Sequence, residues 1–164
     1  MPCLTDNKPS DLAVPVIAVS LLLAPLLPLA AQAQAQTCRQ VGGTIDATIV
    51  GGDPVNVLGS VKGDLAGATR AILTSRTEAE GGSVRLGLIH DFVTNDRNTL
   101  KTTDTAVWTP VPGRAGVFHM ATQYEIVGGS GDYENASGSL QNEGIADTNS
   151  GLLTLRYSGE VCAG

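Results

Sequence analysis

Ile-Val-Gly-Gly-Ser-Gly-Asp-Tyr-Glu-Asn-Ala-Ser-Gly, residues 126–138, is the stretch whose reading decides the fold. Phe118, Met120, Thr122, Tyr124 and Ile126 precede it at every second position, and Gly138, Leu140, Asn142 and Gly144 follow it with the same period. Period two is the signature of a strand with two different faces. Gly128, Gly129 and Gly131 are expected to supply the positive φ angles of a reversal, with Asp132 and Asn135 bonding their own backbone. The stretch therefore reads as a hairpin with a tight connection.

Working outward, nothing from Gly42 onward repeats its apolar residues at three and four, as a helix would. The chain breaks instead into about eight short strand candidates, the spacing of a sandwich or barrel. They are Gly43–Val50, Val55–Lys62, Ala68–Arg76, Ser83–Val93, Thr99–Trp108, Gly116–Val127, Ala136–Ala146 and Leu152–Cys162. Turn signals such as Gly51-Gly52-Asp53-Pro54 separate them, and the short connections predict sequential antiparallel neighbours. The expectation is a single all-β domain, residues 36–164, built as an eight-stranded antiparallel up-and-down β-barrel.

Alternation then sorts inside from outside. Arg85 marks the solvent face of the fourth strand, so Val84, Leu86, Leu88, His90 and Phe92 point inward. Lys101 does the same for the fifth, which turns Leu100, Thr102, Asp104, Ala106 and Trp108 inward. Phe118, Met120, Thr122, Tyr124 and Ile126 form the inner face of the sixth strand, and Leu153, Leu155, Tyr157 and Val161 that of the last. In the first three strands Ile and Val stand on both faces and the choice stays open. Eight closed strands leave an interior just wide enough for side chains or one small ligand.

Residues 128–138 closely resemble the Gly-Gly-Thr-Gly-x-aromatic-x-x-Ala-x-Gly element of dirigent proteins and of the wider allene oxide cyclase-like barrel family. Gly59–Ala68, Thr102-Thr103-Asp104-Thr105 and Tyr157–Cys162 extend the likeness, which is to the exported bacterial branch of that family. The resemblance implies a mostly apolar cavity that holds a reactive small molecule in one conformation. The catalytic positions of cyclases and dirigent proteins do not map onto this chain residue by residue, so the family's function is carried only as an expectation.

Leu12 to Leu29 is almost wholly apolar and is followed by Ala31-Gln32-Ala33 and Ala33-Gln34-Ala35. An apolar core before Ala-x-Ala sites reads as a secretory signal peptide over residues 1–35. The alternative is a membrane anchor of about 20 residues, against which Pro15, Pro25 and Pro28 count. The expected location is secreted or periplasmic, with no stable membrane span after processing. Removal of the leader takes Cys3 away and leaves Cys38 and Cys162, an even pair most simply joined as a disulfide. Such a bond ties the first strand to the last and contributes about 4–5 kcal/mol in the chain-entropy picture.

Sixteen acidic residues face 10 basic ones, a net charge of −6. The bases are scattered singly, which argues against nucleic acid and anionic membranes as partners. The sequence has no Gly-x-Ser-x-Gly, no Walker loop and no metal-ligating His pair, and it implies neither cofactor nor metal. Asn135-Ala136-Ser137 fits a glycosylation sequon, relevant only in a eukaryotic secretory host.

One inward constellation remains. His90 is expected opposite Thr102, with Asp104 diagonal to it. A hairpin closing around Pro112 then sets Thr102 beside Tyr124 and Asp104 beside Thr122. His90, Asp104 and Tyr124 would share one wall, facing Asn142 and Tyr157. An imidazole held by a carboxylate can act as a general base and a phenol can donate to a developing oxyanion. The same groups also satisfy one another as a buried network. Phe92, Thr102, Trp108, Phe118, Met120, Thr122, Asn142 and Tyr157 are the expected pocket lining, though Trp108, Phe92 and Phe118 also read as plain core. The leading functional expectation is binding or steering of an apolar small molecule. A cofactor-independent cyclase or isomerase using His90, Asp104 and Tyr124 is the alternative, and a filled structural barrel of the cell envelope the second. A homo-oligomer is left open.

Overall fold

The computed structural model describes residues 36–164, and the expected signal peptide lies outside them. Eight strands follow one another: β1 (Thr37–Gly51), β2 (Asn56–Gly63), β3 (Gly67–Glu78), β4 (Val84–Thr94), β5 (Thr99–Pro110), β6 (Val117–Ser130), β7 (Ser137–Asp147) and β8 (Leu152–Ala163). Each pairs antiparallel with the next, and β8 returns to β1 to close the barrel. Closure leaves no strand edge unpaired. Cys38 and Cys162 stand directly opposite each other on β1 and β8 and are joined as a disulfide.

The inner face of every well-patterned strand is as its alternation dictates. Val84, Leu86, Leu88, His90 and Phe92 are all buried, and so are Leu100, Thr102, Asp104 and Ala106. In the ambiguous strands the structure chooses Val41, Ile45 and Ala47 of β1, Val61 of β2, and Thr69 and Ala71 of β3.

Two local expectations are corrected. The glycine-rich stretch is less a loop than the end of a strand: β6 runs on to Ser130, and Gly129 pairs with Leu100. Gly128 and Gly131 do adopt positive φ, at 117° and 61°. Gly129 is needed for a different reason, since a Cβ there would sit 1.9 Å from the Thr99 carbonyl oxygen. Asp132, expected to bond its own backbone, instead accepts a hydrogen bond from the Asn98 amide of the β4–β5 turn at 2.8 Å.

The second correction concerns the β5–β6 register. Asp104 lies opposite Tyr124 and Thr102 opposite Ile126, two residues away from the expected pairing. The connection contains two successive turns, closed by Arg114 N–H to Val111 O and Val117 N–H to Arg114 O. Gly113 and Gly116, both at positive φ, accommodate them. The hairpin centre therefore moves past Pro112, and the partners move with it.

The barrel has two unlike ends. At the end that carries both termini, Leu65 folds in from the β2–β3 turn and is 0% exposed, as is Leu100, with Phe92 at 1%. Tyr133 seals the same end, its hydroxyl accepting from the Arg39 guanidinium at 2.8 Å. The Tyr157 hydroxyl accepts from Leu65 N–H at 3.0 Å and donates to Lys62 O at 3.2 Å, which holds that turn down. At the opposite end Ile49, Val57, Leu73 and Trp108 pack on the core but are only half-buried, and half-buried Phe118 lies against Trp108.

Candidate functional site

The polar residues of the interior gather midway along β4, β5 and β6. His90 faces Thr102 across the β4–β5 pair, and Asp104 stands one inward position further along β5. Because inward residues recur every second position, His90, Thr102, Asp104 and Tyr124 meet on one wall. The His90 Nδ1–H donates to Asp104 Oδ2 at 2.5 Å, and the Thr102 hydroxyl donates to Asp104 Oδ1 at 2.5 Å. The Asp104 side chain is wholly enclosed. A buried carboxylate is costly unless hydrogen-bonded, and here each oxygen has a donor.

The Asp104 contact fixes the imidazole tautomer. With Nδ1 carrying the proton, Nε2 of neutral His90 is left as a lone-pair acceptor. Among the described residues no side chain or backbone group bonds Nε2, nor is it among the buried polar atoms that lack both a partner and solvent access. It therefore opens onto space rather than onto packed protein. The ring stacks on Phe92 at 5.7 Å between centroids and meets the edge of Tyr124 at 5.1 Å.

Tyr124 is the complementary group. Its hydroxyl accepts a hydrogen bond from the Asn142 amide. Burial first, and the nearby Asp104 charge second, hold the phenol proton on far above its ordinary range, with Asn142 opposing. The phenol is thus neutral at any ordinary pH, and can donate but not act as a base.

The space beside His90 is a cavity of about 30 Å³. His90, Tyr124, Leu88, Trp108, Met120 and Leu155 are among its walls, completed by Leu153 and side chains of β1, β2 and β3. A space of that size is on the scale of a few water molecules. It reaches from the imidazole toward the half-buried end of the barrel. Of the residues expected to line a pocket, Trp108 and Met120 border this cavity. Phe92, Thr102, Phe118, Thr122, Asn142 and Tyr157 do not line it. Phe92 belongs to the sealed end, Phe118 packs on Trp108 at 5.6 Å, and the Tyr157 hydroxyl is engaged with the β2–β3 turn.

Sequence reasoning missed Thr69, Ala71, Ile45 and Ala47 as walls, because the mixed faces of the first strands gave no arbiter. It also missed Leu65, although a lone leucine in the polar turn Gly63–Gly67 was a signal that the turn folds inward. A larger hollow of about 640 Å³ lies on the outer wall near exposed His119, Gln141, Glu143 and Arg156. It is open to solvent, and His90, Asp104 and Tyr124 take no part in it.

The fold and site together define a closed eight-stranded antiparallel barrel with a His–Asp pair beside an interior cavity. No protein-family model matches the chain, and no curated protein matches it. Among solved structures it is similar to the pterocarpan synthase dirigent protein GePTS1. The match has 14% identity over 88% of this chain and 99% of that one, with a TM-score of 0.33. A likeness of that degree carries no argument about the site.

Proposed function

We propose that this chain is an exported barrel, of the dirigent-like and allene oxide cyclase-like kind, that holds a small and mostly apolar molecule in one conformation. The observation that carries the reading is His90 Nε2, an unengaged acceptor at the edge of an apolar-walled cavity. Apolar walls with a few convergent polar groups are the usual make-up of a small-molecule site. In this reading the walls supply affinity and the imidazole, fixed by Asp104 and Thr102, orients the ligand. The disulfide and the apolar leader followed by Ala-x-Ala support export to an oxidising compartment. The acidic balance argues against nucleic acid as the partner.

A second reading, a cofactor-independent isomerase or cyclase, is favoured by the His90–Asp104 contact itself. A carboxylate-held imidazole is the arrangement of a general base, and the neutral Tyr124 phenol could donate to an oxygen on which charge develops. His90→Gln separates the two readings. Binding alone predicts weakened affinity and no turnover to lose. Catalysis predicts retained affinity and a rate lower by about 10²–10⁴.

The experiment is ligand-detected NMR on the processed barrel against short alcohols, ketones, fatty acids and hydrocarbons. Members of the panel should bind and shift the His90 ring signals. No binding across the panel, with His90 unmoved, would leave a filled structural barrel of the envelope.

A further inference from the structure

Resting on the binding reading above, we infer that Trp108 is the gate of the cavity: its indole closes the space over His90 and swings outward when a ligand enters. Three observations converge on this side chain. The cavity, at about 30 Å³, is far smaller than the pockets that enclose organic ligands, so occupancy by one requires a wall to move. The wall that moves must stand at the open end, since the other is shut by Leu65, Phe92 and Leu100 at 0–1% exposure. Trp108 is there, half-buried and the largest side chain lining the cavity.

The third observation is chemical. The Trp108 indole N–H is buried without a hydrogen-bond partner. A buried donor left unmade is a penalty on the closed state, relieved once the N–H reaches water. Outward rotation would give up the packing of the indole on Phe118. A ligand taking the vacated apolar space restores that burial on the cavity side. A ligand that restores this burial favours the outward state over the inward one, and so shifts the population toward it. Met120, which faces Trp108 across the β5–β6 pair, has no orphaned polar atom and gains nothing comparable by leaving.

Trp108 is the sole tryptophan of the chain, so its fluorescence reports the gate alone. The probe is cyclohexanol, a compact alcohol able to donate to Nε2, titrated into the disulfide-intact barrel. Binding is verified by ligand-detected NMR and located by the His90 ring shifts. With excitation selective for tryptophan, the gate predicts emission moving to longer wavelength on binding. Acrylamide quenching should rise roughly twofold as the outward state becomes the majority. Binding at His90 with emission unchanged or moved to shorter wavelength overturns the gate and leaves the pocket standing. Absence of any binding overturns both.

Discussion

The two ends of the barrel are built from the same alternation of inward residues, yet they do opposite things. At the terminal end, turns fold inward and side chains bond across them: Leu65 over the core, Tyr133 to Arg39, Asn98 to Asp132, and Cys38 to Cys162. At the other end Ile49, Val57, Leu73, Trp108 and Phe118 are only half-covered. His90 and its carboxylate sit between the two. The contrast teaches where stability and where adaptability are stored. A closed barrel with one shut end can keep its shape while the other end rearranges.

The largest expected effect breaks the shut end. Replacing Cys38 and Cys162 together by serine should lower stability by about 4–5 kcal/mol in the chain-entropy picture, because the bond closes a loop over most of the barrel. Denaturant unfolding of the oxidised parent and the variant measures it. Next comes a matched pair of truncations. Phe92→Ala at the shut end should cost about 3–5 kcal/mol, as for a fully buried aromatic, and Phe118→Ala at the other end about 1–2 kcal/mol. Equal losses would remove the distinction between the ends.

Smaller effects test the middle. Thr102→Val takes one donor from the enclosed Asp104 carboxylate and should cost about 1–3 kcal/mol in the same assay. Tyr124 gives a pH dependence of definite sign. Its proton is held above the ordinary value of 10.0 in the folded barrel, whereas the unfolded chain releases it near that value. Above about pH 10 the unfolded state therefore binds fewer protons and stability falls with rising pH, by at most about 1.4 kcal/mol per pH unit from this group. Stability curves of the parent and of Tyr124→Phe should run parallel below pH 10 and diverge above it. Parallel curves throughout would contradict the burial of a neutral phenol.

How much of this was legible beforehand depends on the strand. Where one charged residue marked a face, as Arg85 and Lys101 did, alternation placed His90, Thr102 and Asp104 inside and in contact. The β1–β3 walls were not legible, since Ile45, Val57 and Ala71 sit in strands with apolar residues on both faces. The register of Tyr124 was missed because hairpin register depends on how the connecting turns stack, and Pro112 suggested one turn where Gly113 and Gly116 allow two. In the sequence the two ends differ only by the Cys38 and Cys162 pair and by Leu65 in the polar turn Gly63–Gly67. Leu65 and Tyr133 seal one by tertiary contacts, made across strands far apart in the chain.

The most direct measurement of the central claim is the pair of ring ¹⁵N shifts of His90, recorded in the free barrel and with saturating cyclohexanol. The account predicts a protonated Nδ1 and a lone-pair Nε2 in the free protein, set by Asp104. Nε2 alone should move when the probe donates to it, with Nδ1 held. An Nε2 that carries the proton in the free barrel, or one unmoved by the bound probe, would contradict it.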